Sequence, residues 1–189
     1  DRHQKLDMTS VIHGKWGHEE SVATASFCEN FIIVKDIDEA EIVCNYILNP
    51  TPEGKAALLE KFKDAVSAGF DPDTMLKKIG IANQTTMYKK ETTAIGKLFE
   101  KTMITAFGPE EANERYAAFD TICDATQERQ DAIQEMVLAP GAKDELDFIL
   151  VVGGWDSSNT AHLVEIPHHV GIPAYHVDKA SCIAADNSI

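Results

Sequence analysis

The sequence lacks closely spaced cysteines and long apolar runs, the features that mark small secreted domains and membrane proteins. Its four cysteines form no CxxC pair and lie far apart, at Cys28, Cys44, Cys123 and Cys182. This spacing excludes the dense disulfide framework of a small secreted domain and favours a reducing compartment. No apolar run approaches the roughly 20 residues that span a bilayer, and no signal or transit sequence opens the chain. We therefore expect no membrane insertion.

Basic residues are also few. Seventeen Lys and Arg against 31 Asp and Glu give a formal charge of -14. Such a charge repels nucleic acid and anionic membranes at long range, so we expect neither as a partner. Screening limits this field to roughly 8 Å at physiological salt, and a small anion therefore has to be held by local donors.

What is present indicates an ordinary globular protein. The chain has 189 residues, of which 44% are apolar and 25% charged, enough for one large or two small domains. It starts at Asp1 without a Met, and we expect a processed chain, a fragment, or the ordered part of something longer.

Short β-rich runs alternate with amphipathic stretches, which is the pattern of an α/β fold with mainly parallel sheets. The predicted strands are 10–13, 31–35, 78–82, 146–152 and 173–177, and the predicted helices start near 20 and then cover 37–48, 55–68, 91–105, 110–119, 127–138 and 158–170. The apolar run 148–152 is typical of a central strand that is covered on both faces. We place the boundary between two α/β units so that they cover residues 1–118 and 119–189.

The strongest candidate site follows the strand that ends at Val152. Gly153 and Gly154 come next, and the small polar residues Ser157, Ser158 and Asn159 then open a helix. Glycines let a ligand approach the backbone, and the N–H groups of a first helical turn point outward, so this segment is suited to an anion such as a phosphate. The alternative is a cluster of helix caps without a ligand.

Two other strand ends carry polar groups. The run 79–82 leads into Asn83, Gln84, Thr85 and Thr86, and the run 10–13 leads into a loop with His18 and Glu20. Strand ends of this kind can face one crevice, and a histidine beside a carboxylate is suited to moving protons. The alternatives are a plain helix cap at 83–86 and a solvated loop at 14–20.

Cys123 lies between an extended run and a polar helix. A helix N-terminus lowers the pKa of a thiol and favours the thiolate, which is both a nucleophile and a metal ligand. The alternative is an inert thiol, and the other three cysteines are interpreted as small hydrophobic residues.

Four segments of the chain, taken in order, match one enzyme family. They are HGKWGHEESVATASF, GIANQTTM, DTICDATQERQDA and LVVGGWDSSNTAHL. Together they resemble the 4-hydroxy-3-methylbut-2-enyl diphosphate reductase family, particularly its plant and cyanobacterial branch, over nearly the whole chain. The resemblance implies the last step of the non-mevalonate isoprenoid pathway, in which a hydroxyl is removed from an allylic diphosphate with two electrons and two protons.

The resemblance also implies a trefoil of three α/β units around a central 4Fe-4S cluster, of which this chain matches the second and third. Three cysteine thiolates hold such a cluster, and only Cys123 matches a ligand position. The other two ligands, the histidines of the first unit and a late serine pair have no counterpart. We therefore expect the segment by itself to be inactive.

The family's functional residues fall on positions already singled out above. The resemblance implies that Glu20 delivers a proton, that His18 and Thr85 hold the substrate and its proton path, and that Thr86 also binds the substrate. It implies that Ser157, Ser158 and Asn159 hold the diphosphate.

The implied partners are an allylic diphosphate and a ferredoxin-type electron donor in the plastid stroma or the cyanobacterial cytoplasm. Lys90, Lys97 and Lys101 share one side of a helix and form a candidate docking face, for which a plain solvated face is the alternative. Two other hypotheses remain. One is a non-catalytic remnant that acts as a structural subunit in a larger assembly, and the other is an unrelated α/β phosphate-binding module.

Overall fold

The computed structural model describes residues 7–118, 124–186 and 188, and for Asp124 the backbone alone. The chain divides into two compact units, Asp1–Ile122 (unit 1) and Cys123–Ile189 (unit 2). In the part of the chain that the structure describes, no helix is long and apolar enough to cross a membrane. The assignment of the two units to the second and third units of a trefoil stays a prediction.

Unit 1 alternates strands and helices. In chain order its elements are β1 (Thr9–His13), α1 (Glu19–Ser26), β2 (Phe31–Val34), α2 (Ile37–Leu48), α3 (Pro52–Lys61), α4 (Pro72–Met75), β3 (Ile79–Asn83), α5 (Lys89–Phe107), α6 (Pro109–Arg115) and β4 (Tyr116–Ala118). Several of these helices begin at a capping side chain. At the start of α2, Asp36 accepts a hydrogen bond from the backbone N–H of Glu39 at 2.9 Å. Such a bond satisfies an N–H group of the first turn that has no partner within the helix.

The four strands of unit 1 form one parallel sheet in the order β2-β1-β3-β4. The connection from β1 leads to β2 on one side, and the connection from β3 leads to β4 on the other. The order therefore reverses between β1 and β3, and their carboxyl ends lie side by side because His13 is in register with Asn83. A parallel α/β sheet was predicted from the alternation of apolar runs, and this prediction is confirmed.

The core of unit 1 lies on both faces of its sheet. All five residues of β1 are buried. On one face, Val11 belongs to a large cluster with residues of α2, α3 and α5, among them the fully buried Phe99. On the other face, Ile12 packs with Ile33 and with Ala25 of α1. Because β1 is covered on both sides, the residues that follow it are held in place by a rigid strand.

Two predicted helices of unit 1 end earlier than expected. The helix predicted over 55–68 ends at Lys61, because Val66 forms a bridge with Ile32 of β2 instead. The helix predicted over 110–119 ends at Arg115, because Tyr116 pairs with Ile79 at the sheet edge and its hydroxyl donates to the carbonyl of Gly96 at 2.7 Å. In both cases pairing with the sheet replaces a helical pattern.

Unit 2 is smaller. Its elements are α7 (Asp124–Leu138), α8 (Ala142–Glu145), β5 (Ile149–Val152), α9 (Ser158–His169), β6 (Ala174–Val177) and a 3-10 turn (Ala180–Cys182). β5 and β6 pair in parallel, with Ile149 opposite Ala174. Ile149, Val151 and Ile172 pack against Val137 of α7 and against residues of α9.

The prediction that β5 is covered on both faces is wrong for the described residues. Ile149 and Val151 are buried, whereas Val152 is 72% exposed and Phe148, just before the strand, is 49% exposed. The sheet has two strands among the described residues, and its core cluster lies on one face. Successive side chains of such a strand point alternately to the core and to the solvent, although all of them are apolar.

Candidate functional site

The carboxyl ends of β1 and β3 form the candidate site of unit 1. Ligands of open parallel sheets bind where the strand order reverses, because the loops that leave the two strands diverge and open a crevice there. The ends are tied together, since the backbone N–H of Gln84 donates to the carbonyl of His13 at 2.8 Å. The sheet order therefore places the loop 14–18 beside the residues 84–86.

The first turn of α1 orients His18 and Glu20. His18 is the N-cap residue, and its Nδ1 accepts a hydrogen bond from the backbone N–H of Glu20 at 3.2 Å. Because Nδ1 is an acceptor, the neutral imidazole carries its proton on Nε2. Glu20 is half-buried.

One hydrogen bond joins the two predicted strand ends. Oε1 of Glu20 accepts from the backbone N–H of Thr85 at 2.7 Å, a length typical of a charge-assisted bond. His18, Glu20 and Thr85, which were singled out separately in the sequence, are thus brought together. Thr86 adjoins them through its hydroxyl, which accepts from Nε2 of Gln84 at 2.7 Å.

Gln84 was named in the sequence only as one of four polar residues after the predicted strand 79–82, without a role of its own. Its side chain is fully buried, and its Oε1 accepts from the hydroxyl of Ser21 at 3.1 Å and from the backbone N–H of Lys15 at 3.2 Å. The signal available in the sequence was a long amide side chain directly after a buried strand. Such an amide can bond with several groups at once.

His13 is not part of the exposed loop. Its side chain is fully buried, with Nδ1 at 2.7 Å from the hydroxyl of Thr92 and Nε2 at 3.6 Å from a carboxylate oxygen of Glu91. Burial lowers the pKa of His13 from 6.5 to about 4, and the nearby carboxylate of Asp36 offsets this only partly. The imidazole is therefore neutral at pH 7 and acts as a packing and hydrogen-bonding group.

The candidate anion site of unit 2 lies at the carboxyl end of β5. Ser157 caps α9, where its hydroxyl accepts from the backbone N–H of Thr160 at 3.4 Å. Nδ2 of Asn159 donates to the hydroxyl of Thr126, near the start of α7, at 3.4 Å. Ser157, Ser158 and Asn159 are all half-buried at this turn.

Gly153 gives the turn its shape. A Cβ added there would lie 2.4 Å from the hydroxyl oxygen and 3.0 Å from the methyl group of the buried Thr160. Only a glycine lets the first turn of α9 approach the end of β5 so closely. At Gly154 the same Cβ would meet nothing nearer than 3.9 Å.

Trp155 and His176 form a second feature that the sequence did not indicate. Their rings stack at 5.0 Å between centroids with an angle of 11°. Nε2 of His176 lies 2.9 Å from the carbonyl oxygen of Gly153 and must donate to it, because a carbonyl only accepts. The stack covers one side of the glycine turn, while the indole stays 67% exposed.

The described cysteines do not fit a thiolate-ligated cluster. Burial raises the pKa of Cys44 to about 11 and raises that of Cys28 as well, and Sγ of Cys182 donates to a carboxylate oxygen of Asp178 at 3.2 Å. Within residues 7–118, 124–186 and 188, no three His, Cys, Asp or Glu side chains form a metal-binding group. Cys123, the predicted metal ligand, lies outside the described residues.

The lysines of the candidate docking face, Lys90, Lys97 and Lys101, are exposed on α5. Their role in binding an electron donor stays a prediction.

The chain was compared with known families and proteins. A family model described as "LytB protein" matches residues 1–188. The chain is 52% identical over 189 residues to a protein from Gloeothece citriformis (strain PCC 7424) named 4-hydroxy-3-methylbut-2-enyl diphosphate reductase, covering 100% of this chain and 45% of that protein. It is 55% identical over 184 residues to a chloroplastic protein of the same name from Botryococcus braunii, covering 97% of this chain and 36% of that protein.

One solved structure supports the fold. It is that of the E-1-hydroxy-2-methyl-but-2-enyl-4-diphosphate reductase from Plasmodium falciparum, with a TM-score of 0.55 and 19% identity, over 95% of this chain and 44% of that one. The chain thus spans less than half the length of the relatives that it matches. Because the family model covers nearly every residue, the chain belongs to the LytB protein family.

Proposed function

We propose that the polypeptide carrying this chain is a 4-hydroxy-3-methylbut-2-enyl diphosphate reductase. The reaction breaks the allylic C–O bond with two electrons and two protons. One proton leaves with the oxygen as water and the other is added to the allyl carbon, which gives isopentenyl or dimethylallyl diphosphate. The named relatives support this reaction, and the observation that carries it within the chain is the bond between Glu20 and Thr85 at the reversal point of the sheet.

Unit 1 is assigned the proton chemistry. Oε1 of Glu20 accepts a hydrogen bond from the backbone N–H of Thr85 at 2.7 Å, which fixes the direction of the carboxyl group. The other carboxyl oxygen can carry the proton that is delivered. His18 caps the same turn and, with Thr85 and Thr86, supplies donors to the substrate hydroxyl and its proton path. A leaving hydroxyl needs a proton, and these groups lie together where one can be supplied.

Unit 2 is assigned the diphosphate. Ser157, Ser158 and Asn159 are uncharged donors at the start of α9, where the outward N–H groups also favour an anion. Each hydrogen bond to a charged group contributes roughly 1.5 to 3 kcal/mol, so three or four offset a large part of the entropic cost of binding. No Lys or Arg is required for this, which agrees with the acidic composition of the chain.

The electrons require a further group. By resemblance, Cys123 is one thiolate ligand of a 4Fe-4S cluster, which supplies the electrons and Lewis acidity when it is bound. Burial raises the pKa of Cys28 and of Cys44, so these two thiols keep their protons and are not assigned to the cluster. A ferredoxin-type donor in the plastid stroma or cyanobacterial cytoplasm would deliver the electrons, and Lys90, Lys97 and Lys101 are its proposed docking face.

Anaerobic turnover with a chemical reductant tests the proposal. In the complete polypeptide that carries this chain, Glu20→Gln should lower the rate of product formation by about 100-fold or more, because a general acid contributes about that factor. Glu19→Gln, at the neighbouring exposed carboxylate of the same helical turn, is the matched control and should keep the rate. Equal rates for the two variants would remove Glu20 from the mechanism.

The alternative that the sequence leaves open is a non-catalytic role in a larger assembly. A structural subunit of a larger assembly would need no cluster and no acid at residue 20. If the folded polypeptide, loaded anaerobically with iron and sulfide, shows neither cluster absorbance nor turnover, this alternative replaces the reductase.

A further inference from the structure

We propose that Gln84 is a positioning residue that holds Glu20 in the orientation required for proton transfer. This role rests on the proposed function, because it concerns the same site. The hydrogen bonds of the Gln84 side chain go to Ser21, Lys15 and Thr86 rather than to Glu20, so its effect on Glu20 is exerted through the polypeptide between them.

The side chain of Gln84 joins three segments of unit 1. Its Oε1 accepts from the hydroxyl of Ser21 in α1 and from the backbone N–H of Lys15 in the loop after β1, at 3.1 and 3.2 Å. Its Nε2 donates to the hydroxyl of Thr86 at 2.7 Å. A backbone N–H can only donate, so the orientation of the amide is fixed by chemistry.

Gln84 is itself firmly held. Its backbone N–H donates to the carbonyl of His13 at 2.8 Å, and its carbonyl accepts from Met87 at 3.1 Å and from Nδ2 of Asn83 at 3.2 Å. The side chain is fully buried. A side chain bonded at both ends of its amide and anchored at both ends of its peptide has a single conformation to adopt, and it therefore serves as a fixed reference point.

Two successive residues in the first turn of α1 bond to Gln84 and to its neighbour Thr85. Ser21 bonds with the Gln84 amide, and Glu20, one residue earlier, bonds with the backbone N–H of Thr85. One bond alone would leave the turn free to pivot. Two bonds to neighbouring residues of the loop after β3 fix both the distance and the rotation of α1, and so fix the direction of the Glu20 carboxyl group.

The close approach of the segments is built into the sequence at Gly14. A Cβ there would lie 2.4 Å from the hydroxyl of Ser21 and 3.2 Å from Cβ of Gln84. Ser21 is fully buried too, so neither side chain can move aside into solvent. The three residues form one packed contact, and a misplacement of about 1 Å at such a site can lower a rate by about 100-fold.

The test replaces the amide by an apolar side chain of similar size. In Gln84→Leu the hydroxyl of Ser21 and the N–H of Lys15 lose their acceptor, α1 loosens, and the bond from Thr85 to Glu20 opens more often. We expect hydrogen–deuterium exchange at the Thr85 amide to accelerate about 10-fold or more, and kcat to fall about 10- to 100-fold with KM changed less than about threefold.

Gln130→Leu is the matched control. Gln130 is also a buried glutamine, 2% exposed, but it lies in α7 of unit 2 and its amide has no hydrogen-bond partner in the described part of the chain. Its replacement should leave both the Thr85 exchange rate and kcat unchanged.

A second variant, Ser21→Ala, covers the case in which Gln84→Leu folds poorly. Ser21→Ala removes the other partner of the bond, should accelerate Thr85 exchange by itself, and should add little to Gln84→Leu, because partners of one bond are not additive. Unchanged Thr85 exchange in both single variants would overturn the proposal. The exchange measurement needs no turnover, so a rapid Thr85 exchange in Gln84→Leu together with an inactive parent protein would sink the proposed function and leave the positioning role standing.

Discussion

In each unit a strand ends in a polar loop beside a helix N-terminus, but the two loops are held in different ways. In unit 1, β1 is buried along its whole length, and the loop is fastened by the bonds of Gln84 and Thr85 between segments far apart in the chain. In unit 2, β5 has one exposed face. Its loop is shaped by a glycine turn, by the cap of its own helix, and by bonds from Nε2 of His176 to the carbonyl of Gly153 and from Nδ2 of Asn159 to the hydroxyl of Thr126. The bonds of unit 1 fix the proposed proton donor Glu20, whereas the glycine turn of unit 2 shapes the proposed anion site.

The two units also differ in how their buried glutamines are hydrogen-bonded. Gln84 in unit 1 uses both ends of its amide, whereas Gln130 in unit 2 uses neither among the described residues. Exposed apolar side chains also concentrate at the sheet of unit 2, where Phe148 is 49%, Val152 72% and Tyr175 42% exposed. Unit 1 is thus the more completely packed of the two.

The largest effect should come from opening the core of unit 1. Phe99 is fully buried in α5 within the larger cluster, and Phe99→Ala should lower the free energy of unfolding by about 3 to 5 kcal/mol. In unit 2, Ile172→Val, which removes one methylene from the smaller cluster, should lower it by about 0.5 to 1.5 kcal/mol. Denaturant unfolding measures both, and a loss well below about 3 kcal/mol for Phe99→Ala would contradict the tight packing around Phe99.

His13 should make the stability of unit 1 depend on pH. The pKa of His13 is lowered by burial from 6.5 to about 4, so between these pH values the unfolded chain binds a proton that the folded chain does not. Stability from this residue is complete above pH 6.5 and is lost as the pH falls towards 4, by about 3 kcal/mol in total.

Urea titrations at successive pH values measure this slope. His13→Asn should flatten it between pH 6.5 and 4, whereas His169→Asn, at an exposed position in α9, should not. If the slope survives in His13→Asn, other groups cause it.

In unit 2 the shape of the glycine turn can be tested with two adjacent substitutions. Gly153→Ala places its methyl group 2.4 Å from the hydroxyl of Thr160 and should cost about 1 to 3 kcal/mol. Gly154→Ala, with the nearest atom at 3.9 Å, should cost much less. Diphosphate binding, followed by the fluorescence of Trp155, should weaken in Gly153→Ala alone. Similar losses of stability and binding in both variants would show that the close approach to Thr160 is not what shapes the loop.

The smallest effect is expected at Gln130. Burying an amide without a hydrogen bond is unfavourable, so Gln130→Leu should leave the melting temperature unchanged or raise it by an amount equivalent to about 1 kcal/mol. Gln84→Leu should instead lower it. A clear loss of stability for Gln130→Leu would show that its amide has a partner and would weaken the contrast between the units.

Much of the site was predictable because its residues follow buried strands. The apolar runs before Gly14, Asn83 and Gly153 predicted parallel strands, and polar residues directly after such strands lie at one edge of a sheet. Cys123 stays a prediction, since it lies outside the described residues, and the catalytic and binding roles stay proposals as well.

Other features depended on contacts between distant residues, which periodicity does not show. The end of the helix near residue 115 was set by the hydroxyl of Tyr116 and the carbonyl of Gly96, 20 residues apart. The exposure of Val152 follows from the core cluster of unit 2, which lies on one face of its sheet. The role of Gln84 followed from partners 63 and 69 residues away at Ser21 and Lys15.

The sequence by itself determined the alternation of strands and helices, the polar strand ends and the family, because local periodicity and short motifs carry that information. Only the tertiary structure decided that the order of the sheet reverses between β1 and β3. That reversal brings Glu20 within 2.7 Å of the Thr85 amide. Strand order is set by which apolar faces are buried together, and this depends on the whole unit at once.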